Sequence, residues 1–281
     1  MAYTTIDDPG LYFNTLIWTG NDADSRDITG VGFQPDWVWG KRRDDAAGHN
    51  LLDVVRGAGE NGELASSTDG AEGSNAQDRF GFLSAFLSDG FRVEDGSEAS
   101  GDKAYWNQNS ATYVAWNWKA GGSASSNTDG SITSSVSAST VAGFSIATWT
   151  GTGSNATIGH GLGATPRLIF CKRRSSTKNW INYDAVNGAT KYLTLNTTDA
   201  AGTSSTVFNN TEPTSSVFSV GTDTHVNESS ATYVAYCFAE KQGYSKIGKY
   251  TGNANANGAF LYLGFKPAFI IIKDISSTDP W

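Results

Sequence analysis

The chain has 281 residues, of which 38% are hydrophobic and 12% aromatic, with nine Trp, 32 Gly, one Met and two Cys. A formal net charge of −8 and a pI near 4.8 work against nucleic acid or an anionic membrane as partner, because phosphate contacts need clustered cations. Too few Leu-, Lys- and Glu-rich stretches exist for a helical protein, and many short aromatic or β-branched runs between Gly, Asn, Ser and Asp clusters predict an all-β chain of two or more domains.

In chain order, residues 1–10 form a short lead, acidic and polar, without the basic and apolar regions of a signal peptide. A first unit spans residues 11–122. Residues 13–18 predict a strand, 21–27 a polar loop, 36–42 a second strand and 51–55 an apolar run. Residues 60–77 are Gly-, Ser-, Asn- and Glu-rich and read as a long loop. Residues 80–87 are ambiguous: Phe80, Leu83 and Leu87 fit a helical stripe, whereas Phe80, Phe82 and Phe86 fit a strand face. Ser88-Asp89-Gly90 is a turn before Phe91-Arg92-Val93, and residues 111–119 close the unit as a strand. Residues 123–142 are almost entirely small and polar, the composition of a flexible linker. A second unit, 143–243, repeats the first. A third opens at residue 244 and runs to 281, with strand candidates at 247–250, 259–263 and 268–272.

The repeat rests on fixed intervals. Trp18-Thr19-Gly20, Trp149-Thr150-Gly151 and Tyr250-Thr251-Gly252 each precede Pro35, Pro166 and Pro267, with sixteen residues from Thr to Pro in all three copies. Lys41, Lys172 and Lys273 each lie six residues after the proline. Asp53 and Asp184 both lie eighteen residues after it, and Ser110-Ala111-Thr112-Tyr113-Val114-Ala115 returns as Ser230-Ala231-Thr232-Tyr233-Val234-Ala235. About seven short strands per hundred residues suit tandem antiparallel β-sandwiches, jelly-roll-like, with equivalent strand orders in the two complete units. The apolar run 268–272 then calls for cover from a longer polypeptide or a partner subunit, since an exposed apolar edge is a liability. That run is too short to span a bilayer. Cys171 and Cys237 make no disulfide framework and read as small buried residues facing each other across the second unit.

Met1-Ala2-Tyr3-Thr4-Thr5-Ile6-Asp7-Asp8-Pro9, Tyr113-Val114-Ala115-Trp116-Asn117-Trp118-Lys119-Ala120-Gly121-Gly122, Gly159-His160-Gly161-Leu162-Gly163 and Tyr236-Cys237-Phe238-Ala239-Glu240-Lys241 resemble a family of repeat-bearing proteins of marine bacteriophages, of the cyanophage and pelagiphage type. The resemblance covers essentially the whole chain. It implies a virion structural protein such as a tail fibre or appendage, assembled in the host cytoplasm, bound to other virion proteins and homo-oligomeric. It transfers no catalytic or binding residue, and in that family the third repeat runs to completion.

Candidate chemistry is sparse. His49, His160 and His225 fall in separate loops without metal-ligand spacing, Asp7-Asp8 and Asp44-Asp45 are adjacent pairs whose side chains diverge, and the 21–27 loop lacks the glycine and terminal Glu of an EF-hand. No cofactor, metal site or enzymatic activity is expected. Trp37, Trp39, Trp106, Trp116 and Trp118 offer a sugar-stacking platform or, since the second unit has Leu168, Phe170, Tyr236 and Phe238 at four of these positions, a sandwich core. The candidate glycan or subunit contacts are Trp106 and the basic clusters Lys41, Arg42, Arg43 and Lys172, Arg173, Arg174. Besides a tail fibre or appendage subunit, the open readings are a receptor module for host-surface glycan, a capsid-decoration or head-fibre protein, and a polysaccharide hydrolase.

Overall fold

The computed structural model describes residues 4–74 and 77–281. The first three residues of the lead and residues 75–76 of the 60–77 loop lie outside them. The chain is all-β, and every strand pairing is antiparallel.

The first unit contains β1 (Phe13–Thr19), β2 (Ser25–Thr29), β3 (Trp37–Arg42), β4 (His49–Asp53), β5 (Phe82–Leu87), β6 (Gly90–Glu94) and β7 (Thr112–Trp118). They form two facing sheets, β1-β7-β3-β4 and β2-β6-β5. Next come β8 (Ser125–Asn127) and β9 (Ser134–Ser139), in the stretch expected to be a linker. The second unit contains β10 (Phe144–Thr150), β11 (Ala156–Gly159), β12 (Leu168–Arg173), β13 (Ile181–Asp184), β14 (Lys191–Thr194), β15 (Gly202–Thr203), β16 (Val217–Val220) and β17 (Thr232–Phe238). Its main sheet runs β15-β14-β13-β12-β17-β10-β9-β8, opposite β11-β16.

Within that eight-stranded sheet, β10-β17-β12-β13 repeats the order β1-β7-β3-β4, as the sequence intervals predict. The register repeats too. Trp37 faces Trp118 and Arg42 faces Tyr113, as Leu168 faces Phe238 and Arg173 faces Tyr233. Trp18 stacks on Tyr113, and Trp149 on Tyr233, each pair with ring centroids 5.3 Å apart. The tyrosine hydroxyls tie down matching turns. Tyr113 Oη accepts from Gln108 N at 2.9 Å and donates to Ala104 O at 3.0 Å. Tyr233 Oη accepts from Glu228 N at 2.7 Å and donates to Thr224 O at 3.0 Å.

Successive side chains on a strand point to opposite faces, so the inner sheet of each unit serves two cores. Val38, Leu52, Leu83, Phe91, Val93 and Trp106 fill the first sandwich. Ile158, Ile169, Cys171, Phe218 and Cys237 belong to the second, with both cysteines free and fully buried. The other face of each inner sheet meets its counterpart in a third, aromatic layer built from Trp37, Trp39, Trp118, Phe144, Phe170, Trp180 and Tyr236. Trp37 stacks on Tyr236 of the other unit at 4.2 Å between centroids. The tryptophans of β3 and β7 therefore join the two units, where the sequence had offered a sugar-stacking platform or the core of one sandwich.

Two more expectations are corrected, and the ambiguity at residues 80–87 is resolved as a strand. Residues 123–142 are an ordered extension, with β9 adding to the edge of β10 and Ile132 and Val136 buried. Residues 82–87 are a strand whose register shifts between Leu83 and Ala85, and this bulge puts Leu83 and Phe86 against the same core three positions apart, which blurred the periodicity. The third copy forms no strand: residues 247–250, 259–263 and 268–272 carry no ladder. Its later part lies extended over the first two units, with Phe269, Ile271 and Trp281 against the aromatic layer.

Candidate functional site

The lysine that follows each repeat proline has one local role in all three copies. Lys41 Nζ donates to the carbonyls of Arg42 at 2.5 Å and Asp45 at 3.0 Å. Lys172 Nζ donates to those of Asp69, Arg173 and Lys178 at 3.2, 2.9 and 2.9 Å. Lys273 Nζ reaches Thr198, Asp274, Ser277 and Asp279 at 3.2, 2.6, 3.3 and 2.7 Å. In each case the ammonium gathers the carbonyl of the next residue and those of the following loop, in the first two copies at the end of a strand. The second and third copies also take one carbonyl from the copy before, Asp69 and Thr198. Lys172 is fully buried; burial pulls its pKa down to about 8, with Asp69 opposing. Burial likewise lowers Lys41.

The arginines predicted as contacts are mostly occupied as well. Arg42 bonds Gln108 at 2.6 Å and Asp44 at 3.1 Å. Arg173 pairs with Glu228, and Arg174 with Glu72 at 2.8 Å. Arg43 is exposed. Trp106 is only 1% exposed, roofed by Gly40, where an added Cβ would meet its ring at 2.5 Å, and flanked by Trp18 and Phe91. It is a core residue and offers no face to a sugar.

A buried ion network that the sequence did not reveal crosses the boundary between units. Asp53 ends β4 and its Oδ1 accepts from the backbone N–H of Val55 and Arg56. Arg56 is fully enclosed. Its guanidinium meets Asp53 Oδ2 at 2.5 Å, Glu72 Oε1 at 2.7 Å, the carbonyls of Gly62 and Leu51 at 2.6 and 2.9 Å, and Tyr236 Oη at 3.3 Å. Tyr236 Oη in turn donates to Asp53 Oδ2 at 2.7 Å, and Glu72 also takes Arg174 of the second unit. Burial opposes the Arg56 charge, but Asp53, the Tyr236 oxygen and Glu72 outweigh it and hold its pKa well above the ordinary value. The second unit keeps the turn without the charge: Asp184 accepts from the N–H of Val186 and Asn187, and Asn187 stands where Arg56 does. That Arg-for-Asn difference inside two matching Asp-x-x-x-Gly segments was the one available signal.

The histidines and the acidic stretch 21–27 make internal contacts. His160 is buried, its Nδ1 accepting from Leu162 N at 3.2 Å, and His225 sits 2.7 Å from Asp223. His49 Nδ1 accepts from Trp39 Nε1 at 2.7 Å. Of residues 21–27, expected to be a loop, 25–27 open β2; Asp24 pairs with Lys103, Asp27 with Arg92, and Arg26 donates to Thr19 O. Among the described residues no group of three or more His, Cys, Asp or Glu could hold a metal ion, and no helix is long and apolar enough to cross a membrane. An open cleft of about 410 Å³ lies between residues 240–246 and Tyr262-Leu263.

No curated protein and no solved structure matches the chain. A family model described as a domain of unknown function, DUF7483, matches residues 8–281, running through both sandwiches and the third copy. The chain belongs to the DUF7483 family.

Proposed function

We propose that the chain is a structural subunit of a bacteriophage particle, a tail fibre or appendage component that binds other virion proteins and contributes to contact with the host surface. One observation carries this reading: the residues repeated between copies go into holding shape. The Thr-Gly pairs, the tyrosines of β7 and β17, the lysines after the prolines and the central aromatics all make internal bonds, and the two sandwiches share a single aromatic layer. Such a molecule suits a stiff building block, and its sequence resembles phage virion proteins. Burial of Trp106 removes the one aromatic chosen as a glycan contact.

The test is on particles. Antibody raised against the purified chain is expected to decorate one appendage of phage particles carrying this sequence, at fixed copy number, and to reduce adsorption to the host. Absence of the chain from purified particles overturns the proposal.

A further inference from the structure

The contacts between copies repeat as closely as the motifs inside them. The second copy docks on the first through three backbone-directed bonds. Trp180 Nε1 donates to Ala65 O at 2.8 Å, Lys172 Nζ donates to Asp69 O at 3.2 Å, and Arg174 O accepts from Glu72 N at 3.0 Å. The third copy docks on the second through the same three. Trp281 Nε1 donates to Thr194 O at 2.8 Å, Lys273 Nζ donates to Thr198 O at 3.2 Å, and Ile275 O accepts from Ala201 N at 3.1 Å. The incoming groups stand fourteen, six and eight residues after their prolines in both cases. The receiving residues, 65, 69 and 72 in one copy and 194, 198 and 201 in the next, keep the same intervals of four and three. One geometric operation therefore carries the first junction onto the second.

A repeated head-to-tail junction either winds into an open array or closes into a ring. The aromatic layer distinguishes the two. Trp37, two residues after its proline, packs on three rings of the second copy: Phe144 at 5.6 Å, Tyr236 at 4.2 Å and Phe238 at 6.1 Å between centroids. Phe269, two residues after Pro267, packs on the equivalent three rings of the first copy: Phe13 at 6.1 Å, Trp116 at 5.6 Å and Trp118 at 5.4 Å. The first copy meets the second, and the third meets the first, through one set of positions. In an open array the third copy would lie beyond the second, with no equivalent contact back to the first. Junctions of one kind that return to their start make a ring of approximate threefold symmetry around the aromatic layer, to which all three copies contribute.

We infer that the chain is a single-polypeptide counterpart of a homotrimer, and that the partner it meets along the ring axis is a threefold-symmetric protein assembly. The partner rests on the virion reading proposed above; the ring rests on the contacts alone. A coaxial trimer offers three equivalent patches at the angular spacing of the three copies. All three copies then engage at once, and each contact made raises the effective concentration for the next. A partner of another symmetry engages one copy and leaves the other two without an equivalent patch.

In the purified intact chain, the photo-cross-linker p-benzoylphenylalanine in place of Phe269 keeps a phenyl ring at the site, and its products are mapped by mass spectrometry. Cross-links within one chain to residues 13, 116 or 118 are expected. Cross-links confined to the second copy or to another chain, or none at all, overturn the ring. On phage particles carrying this sequence, localised three-dimensional reconstruction is expected to place one chain on the threefold axis of a homotrimeric neighbour. A chain present in the particle but off any threefold axis overturns the partner and leaves the virion reading standing. A chain absent from the particle overturns both.

Discussion

A buried charge bridges the two sandwiches beside the aromatic layer. Arg56 touches both units, and removing it leaves Asp53 enclosed with one partner fewer. Arg56→Met is therefore expected to cost about 3–5 kcal/mol, the usual result of breaking one side of a buried ion pair. Asn187→Ala, at the equivalent place without the charge, is expected to cost only about 1 kcal/mol; urea melts of the two variants check the contrast. The sequence displayed both Asp-x-x-x-Gly turns, yet Arg56 gave no hint of its partner. Tyr236 is 180 positions away and comes within reach only when the two inner sheets meet. His49 supplies a pH dependence. Burial first, and then Lys41, push its pKa down to about 4 from an ordinary 6.5, and its Nδ1 must stay unprotonated to accept from Trp39. Between pH 6.5 and 4 the unfolded chain takes up a proton that the folded chain refuses. Stability from this group is complete above pH 6.5 and falls as the pH drops through that window, by about 3 kcal/mol at most. His49→Gln, which keeps an acceptor, is expected to flatten that part of the pH-stability curve.

At the scale of elements, the repeat motifs are legible because they answer to local sterics. In the first two copies the glycine of the aromatic-Thr-Gly triplet follows the first strand of its unit and lies against a turn. An added Cβ at Gly20 would lie 2.0 Å from Gln108 O, and at Gly151 2.3 Å from Glu228 O, whereas Gly252 in the third copy meets nothing within 4 Å. Gly20→Ala and Gly151→Ala are each expected to lose more than about 2 kcal/mol, and Gly252→Ala to stay within about 0.5 kcal/mol, as read from denaturation midpoints. The intervals thus predicted equivalent turns correctly for two copies and could not show that the third lacks the opposing strand. Composition misled at residues 123–142. Ser134 and Ser137 are buried, but Ser134 Oγ bonds Gly159 O at 2.8 Å and Ser137 Oγ accepts from Gly121 N at 3.0 Å. A strand whose buried polar groups are satisfied internally looks, in sequence, like a solvated linker.

The whole molecule is one body with three cores, and the middle one was the hardest to foresee. Alternation along β3 told which residues share a face, but not that both faces of the sheet are covered, one by its own sandwich and one by the neighbouring unit. Trp37 lies at the centre of the middle layer, with Tyr236, Trp118 and Phe144 within 5.6 Å of its ring. Trp37→Ala is expected to cost about 3–5 kcal/mol and to loosen the two units from each other. The most direct measurement of the shared layer is differential scanning calorimetry of the intact chain. A single endotherm is expected, with calorimetric and van't Hoff enthalpies in agreement and a total near roughly 200 kcal/mol at about 60 °C. Two resolved endotherms of about half that enthalpy each would contradict a molecule held together through its middle layer.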